Sequence, residues 1–240
     1  MNRRRFLNLT GAGGAWSGVG GAAIADGSSP PLTPEILTRP AHLGLLGRVA
    51  VARDLLPAGT RPVSNLEPLP DGRAPERLNA ALTALLGPDP WRRLFAPQDT
   101  VAIKINGLAA GHLSPRREIV WAIVAGLRGA GIAEERIILW ERTTRELERC
   151  GFPRQTDRGA VRAYGTDALR SGGYGTEVES CGSVGSFVSE VLTRHASALV
   201  NVGVLKDHDL AGVSAGMKNL YGVIHNPNRY HDHNCDPYLA

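Results

Sequence analysis

The chain has 240 residues, enough for one large domain or two small ones, and its 42% hydrophobic content with only 5% aromatics provides for an aliphatic core. The net charge of +4 rests largely on Arg3, Arg4 and Arg5; without them 24 basic residues face 23 acidic ones, and no basic stripe with interleaved aromatics speaks for a nucleic-acid partner. The three cysteines, Cys150, Cys181 and Cys235, are scattered, and without any CxxC spacing they argue against a zinc ribbon or an iron–sulfur cluster in this chain.

Residues 1–25 have the order of an export signal. A basic start leads into a weakly apolar Gly/Ala stretch that ends in Ala23-Ile24-Ala25, a small-residue cleavage pattern. Arg3-Arg4-Arg5-Phe6-Leu7 resembles the twin-arginine pattern, which implies the twin-arginine export machinery as a partner and a periplasmic or otherwise extracytoplasmic destination. Gly11 and Gly13 do not make a dinucleotide fingerprint, because no strand precedes them and the third glycine is misplaced. Residues 26–47 carry four prolines and read as a linker, and residues 48–240 as one α/β domain.

In that domain Val49 to Ala52 read as a short strand and residues 57–75 as a Pro/Gly-rich loop. Leu78, Leu82, Leu85 and Leu86 recur at helical spacing before Gly87. Val101 to Asn106 form the clearest strand. A helix follows, with Ser114 as its cap, Pro115 in its first turn, Ile119, Ile123, Val124 and Leu127 on its apolar face and a stop at Gly129 or Gly131. Then come the strand "RIILW", the short helix "ELERCG", a weak strand "AVRAYG", a Gly/Ser-rich stretch at 171–186, the helix "FVSEVLTRH", the apolar strand "ALVNVGVL" and a helix over "AGVSAGMKNLYGVI". Strands alternate with helices, and two strands are continuous apolar runs. That pattern predicts a mainly parallel sheet with helices on both faces, a three-layer α/β fold.

Ligands of such sheets bind beyond the carboxyl ends of the strands. Lys104 and Asn106 share one face at the end of the first clear strand, and a lysine in a doubly covered strand is costly unless it is paired or opens onto a cleft. Lys206, Asp207, His208 and Asp209 begin where the apolar run 199–205 stops. If these two strand ends adjoin, Lys104, Asn106, Lys218 and Asn219 would bind a small anionic substrate. His208 would move a proton, and Lys206 would act as charge, base or nucleophile. His231, His233 and Cys235 would share one face of an extended segment and suit a divalent metal such as zinc or copper, or else form a polar surface loop. His225 is a further candidate, whereas His42, His112 and His195 stand alone and read as structural or exposed. No G-x-S-x-G elbow occurs, and Ser214 lies one residue off an S-x-x-K spacing to Lys218.

Taken together, "VAIKING", "RIILW", "LVNVGVLKDHDLAGVSAGMKNLYG" and "RYHDHNCDPYLA" resemble the domain of unknown function 362 family over roughly residues 48–240. The family's I-K-x-N strand would fall on Lys104 and Asn106, its K-x-H on Lys206 and His208, and its K-N-x-x-G on Lys218, Asn219 and Gly222. The resemblance implies an unassigned activity and a subset of members with a twin-arginine leader. Many members carry ferredoxin-like iron–sulfur modules; lacking clustered cysteines, this chain would need a separate redox partner. The final residues, "RYHDHNCDPYLA", have no helix stop or tail-like composition, which leads to the expectation of a fragment of a longer protein. The expectation is an exported enzyme with an anion-binding crevice, metal- or redox-linked; the alternative is a non-catalytic periplasmic binding or electron-transfer protein.

Overall fold

The computed structural model describes residues 5–11, 49–50, 52, 73–181, 183–236 and 238. The linker 26–47, most of the leader, His42 and nearly all of the loop 57–75 lie outside the described residues. Five parallel strands form the main sheet: β1 (Arg5–Gly11), β2 (Val101–Ile105), β3 (Ile137–Glu141), β4 (Arg162–Gly165) and β7 (Ala198–Val204), in the spatial order β1-β7-β2-β3-β4. Two antiparallel hairpins supplement it, β5 (Glu179–Cys181) with β6 (Val184–Ser186) and β8 (Lys206–His208) with β9 (Gly212–Ser214).

Alternation along the strands sorts the core into two layers. Val101, Ile103 and Ile105 of β2, Ile137 and Leu139 of β3, and Ala198, Val200 and Val202 of β7 face one way. Onto them pack α1 (Ala74–Leu86), α2 (Pro90–Leu94) and α3 (Arg117–Gly129), through Leu78, Leu82 and Leu86, Trp91, and Val120, Ile123, Val124 and Leu127. Ala102, Ile138, Trp140 and Leu199 face the other way, against Val191 and Val223 of short helical turns at Val191–His195 and Leu220–Val223. Helical segments thus cover both faces, with full helices on one and single turns on the other.

Local chemistry accounts for the element ends. Pro75 opens α1, and Gly87 at φ 79° ends it. Gly131 at φ 94° follows α3, where Ile132 N donates back to Leu127 O at 3.1 Å. Thr143 caps α4 (Thr144–Arg149) by accepting from Glu146 N at 3.2 Å.

Five sequence expectations are corrected. A strand, β1, does run up to Gly11, so only the misplaced third glycine speaks against a dinucleotide fingerprint. Val49, Ala50 and Ala52 lie outside any strand, and Val49 is 82% exposed. Ser114 does not cap α3, whose first flanking residue is Arg116; the Ser114 hydroxyl instead lies against the Cys150 thiol. "FVSEVLTRH" yields one wide turn rather than a longer helix. "AGVSAGMKNLYGVI" divides into β9, a single turn α5 (Gly216–Asn219) and the turn Leu220–Val223, because Gly212 at φ 68° closes a hairpin where a helix would have to run.

Candidate functional site

β2 is followed by β3 on one side, while β7 returns on its other side, in parallel register from Val101 opposite Ala198 to Ile105 opposite Val202. The strand order therefore reverses between β2 and β7, and in sheets of this kind the region beyond the carboxyl ends at such a switch point is where a ligand crevice forms. Lys104 and Asn106 come to it from β2, and Lys206 follows β7 by two residues.

Lys104 is 1% exposed, and its charge is matched inside the protein. Its Nζ donates to Glu141 Oε1 at 2.6 Å and to Ile105 O at 2.7 Å. Glu141, at the end of β3, also accepts from Gly107 N at 2.6 Å and Arg142 N at 2.7 Å. Four short hydrogen bonds around one desolvated ion pair are what such a pair requires. Two glycines make room for it. A Cβ on Gly222 would lie 2.8 Å from Lys104 Nζ, and one on Gly107 would lie 3.2 Å from both Glu141 Cγ and Cys150 Sγ.

Asn219 acts as a strut. Its Nδ2 donates to Asn201 Oδ1 at 2.7 Å, and Asn201 Nδ2 donates to Gly216 O at 2.7 Å, which ties α5 to the middle of β7. Both asparagines are buried and turn their polar atoms toward protein groups. Asn106 accepts from Lys206 Nζ at 2.9 Å.

The remaining cations and imidazoles gather above this base. Burial pushes the Lys206 ammonium below the usual lysine range, and the negative charge of Glu141 works against that. Burial lowers Lys218 as well; Cys235 opposes the shift and the charge of Lys206 adds to it. Lys218 Nζ sits 3.8 Å from the centroid of the Tyr221 ring and 2.6 Å from His231 Nε2. His231 Nδ1 lies 2.9 Å from Pro227 O, a group that can only accept, so Nδ1 carries the hydrogen and Nε2 is left to accept from Lys218. The His208 ring stacks on His231, with centroids 5.5 Å apart and planes 21° from parallel. His208 Nδ1 accepts from Leu210 N and Ala211 N, both at 3.2 Å, so the neutral ring holds its proton on Nε2. Burial, then the charge of Lys218, holds His208 below the usual histidine range.

The metal expectation does not fit this geometry. His231 is engaged with Lys218 and Pro227, His233 and Asn234 adopt left-handed conformations that break the extended segment, and Cys235 is buried beside Tyr221 and Tyr230. Among the described residues no group of three or more His, Cys, Asp or Glu side chains is arranged to hold a metal ion. His225 lies away from this group, edge-on to Tyr174 at 5.0 Å, and His195 is exposed.

Sequence reasoning missed Glu141, Asn201 and Tyr221. An acid directly after "RIILW" was the available signal for Glu141, since it ends a strand as Lys104 nearly does. Asn201 inside an apolar run was a weaker one. A cavity of about 500 Å³ between α3 and the segment 152–163, lined by Trp121, Leu139 and Phe152, contains none of these groups.

The sequence model of a family described as Domain of unknown function (DUF362) matches residues 101–238, a span that contains every residue of the crevice. No curated protein and no solved structure matches the chain.

Proposed function

We propose, from the premise that this chain belongs to the DUF362 family, that the crevice between the ends of β2 and β7 is the active site of an enzyme acting on a small anionic substrate. One observation carries this reading. Lys104 is neutralised by Glu141, whereas Lys206 and Lys218 have no ion pair to a described carboxylate, although burial destabilises the charge of both. Two partly desolvated ammonium groups at a topological switch point match a bound carboxylate or phosphate, which would restore the charge balance that burial disturbs. His208, with its proton on Nε2 and its affinity for a second one lowered, suits proton transfer near neutral pH.

The test is thermal unfolding with inorganic phosphate or oxalate. The wild type should gain stability as RT ln(1 + [L]/Kd), about 2.7 kcal/mol at a hundredfold excess over Kd. The Lys206→Met/Lys218→Met variant should unfold cooperatively and gain nothing. A wild type indifferent to both anions, or a variant that keeps the gain, overturns the reading.

A non-catalytic binding or electron-transfer role is the competing reading. It is favoured by His231, both of whose ring nitrogens are occupied within the protein. Turnover-independent anion binding and a featureless visible spectrum would support the binding form of it. We also propose that residues 1–25 are a twin-arginine export address, on the strength of Arg3-Arg4-Arg5-Phe6-Leu7 and Ala23-Ile24-Ala25.

A further inference from the structure

The chain contains 27 lysines and arginines, and only three are lysines: Lys104, Lys206 and Lys218. The other 24 basic positions are arginine, which stays charged in proteins and cannot serve as an amine nucleophile. All three lysines stand at the crevice, and they occupy three different situations. Lys104 is locked to Glu141 at 2.6 Å, and Lys206 is held by Asn106 Oδ1 at 2.9 Å and Leu113 O at 3.5 Å. Lys218 alone faces a ring nitrogen, His231 Nε2 at 2.6 Å, in the tautomer that accepts a proton.

We propose that Lys218 is the nucleophile of a carbonyl reaction: its amine forms an imine with an aldehyde or 2-oxo acid, with His231 as the proton acceptor and Lys206 as the seat of the substrate carboxylate. The step rests on the crevice reading above and goes beyond it by naming the electrophile. The Lys218 ammonium passes one proton to His231 Nε2, and the freed amine adds to the carbonyl carbon. A second nitrogen proton moves to the oxygen to give a carbinolamine. His231 then returns its proton to that hydroxyl, which leaves as water. An ammonium and a carbonyl become an iminium and water, with one positive charge on each side and the imidazole neutral at both ends.

The surroundings suit these demands. Lys218 is 9% exposed, so the imine would be sheltered from bulk water, and Lys206 places a second cation near enough to disfavour the ammonium. The Tyr221 ring face, 3.8 Å from Nζ, seats the positive iminium as it seats the ammonium. The His208 ring, stacked on His231, covers one face of the acceptor.

The test treats the full chain with glyoxylate or pyruvate and a borohydride reductant, followed by peptide mapping. With three lysines and one α-amino group as the only primary amines, the assignment is unambiguous. The label should fall on Lys218, vanish in Lys218→Arg, and form at least about 100-fold more slowly in His231→Asn. Label confined to the α-amino group, or equal labelling of Lys104, Lys206 and Lys218, overturns the imine step. A wild type stabilised by phosphate but unlabelled at Lys218 refutes the imine while leaving the crevice standing; failure of both removes the crevice as well. Should Lys218→Arg fail to fold, the mapped position on the wild type decides.

Discussion

Lys104 shows how burial decides the role of a charged side chain. The ammonium is 1% exposed and depends on a single carboxylate, so removing either partner strands a charge in a medium that cannot solvate it. Lys104→Met should therefore destabilise the protein by about 3–5 kcal/mol, far more than the loss of the lysine's apolar contacts would. Adding Glu141→Gln removes the orphaned charge and keeps an oxygen for Gly107 N, so the double variant should recover about 1–3 kcal/mol of that loss. Urea unfolding of the single and double variants measures both. A double variant less stable than Lys104→Met would show that Glu141 is held mainly by its backbone donors. The site was partly legible at this scale. Lys104, Asn106, Lys206, His208, Lys218 and Asn219 stand out because ionisable or amide groups at strand ends are costly. Glu141 and Asn201 do not stand out, because the cost of each is offset by a partner 37 or 18 positions away, which only the strand order brings near.

Elements were legible where period and length supported one another. The spacing of Leu78, Leu82 and Leu86 and the apolar face of α3 need two or more turns to register, and both helices have them. Beyond Gly165 the pieces are three to five residues long apart from β7 and the kinked turns of Pro227–Cys235, and tertiary contacts rather than propensity hold them. Val188 and Ile224, for example, form an isolated bridge, and His225 N donates to Phe187 O at 3.0 Å. A run of small residues such as "AGVSAGMKN" is compatible with a helix until one glycine turns left-handed. Within α3 the same competition is measurable at Gly126. Propensity favours Ala there by about 1 kcal/mol, but a Cβ would lie 2.1 Å from the Trp91 ring, which is buried and hydrogen-bonded through Nε1 to Asn79 Oδ1 at 2.9 Å. A rigid indole cannot yield as a flexible side chain would, and overpacking costs about 1–3 kcal/mol. Gly126→Ala should therefore lower the thermal midpoint. A raised midpoint would mean that α2 moves aside at little cost.

At the scale of the molecule, two readings meet on one segment. Residues 1–25 are proposed above as a detachable address, while Arg5–Gly11 stands as β1, parallel to β7 from Arg5 opposite Ala198 to Gly11 opposite Val204. An edge strand adds backbone hydrogen bonds on one side only, and β7 keeps its full ladder to β2 without it. Among the residues whose burial is described, the members of both core layers lie after position 73, and every crevice residue lies between 104 and 231. The chain starting at Asp26 should thus unfold in a single cooperative transition and keep its phosphate-dependent gain in stability. N-terminal sequencing of exported protein should begin at that same residue. If the trimmed chain does not fold, β1 belongs to the domain and its pairing with β7 is the reason. If it folds but ignores phosphate, the strand acts on the crevice through β7, whose last residue, Val204, lies opposite Gly11 and only two positions before Lys206.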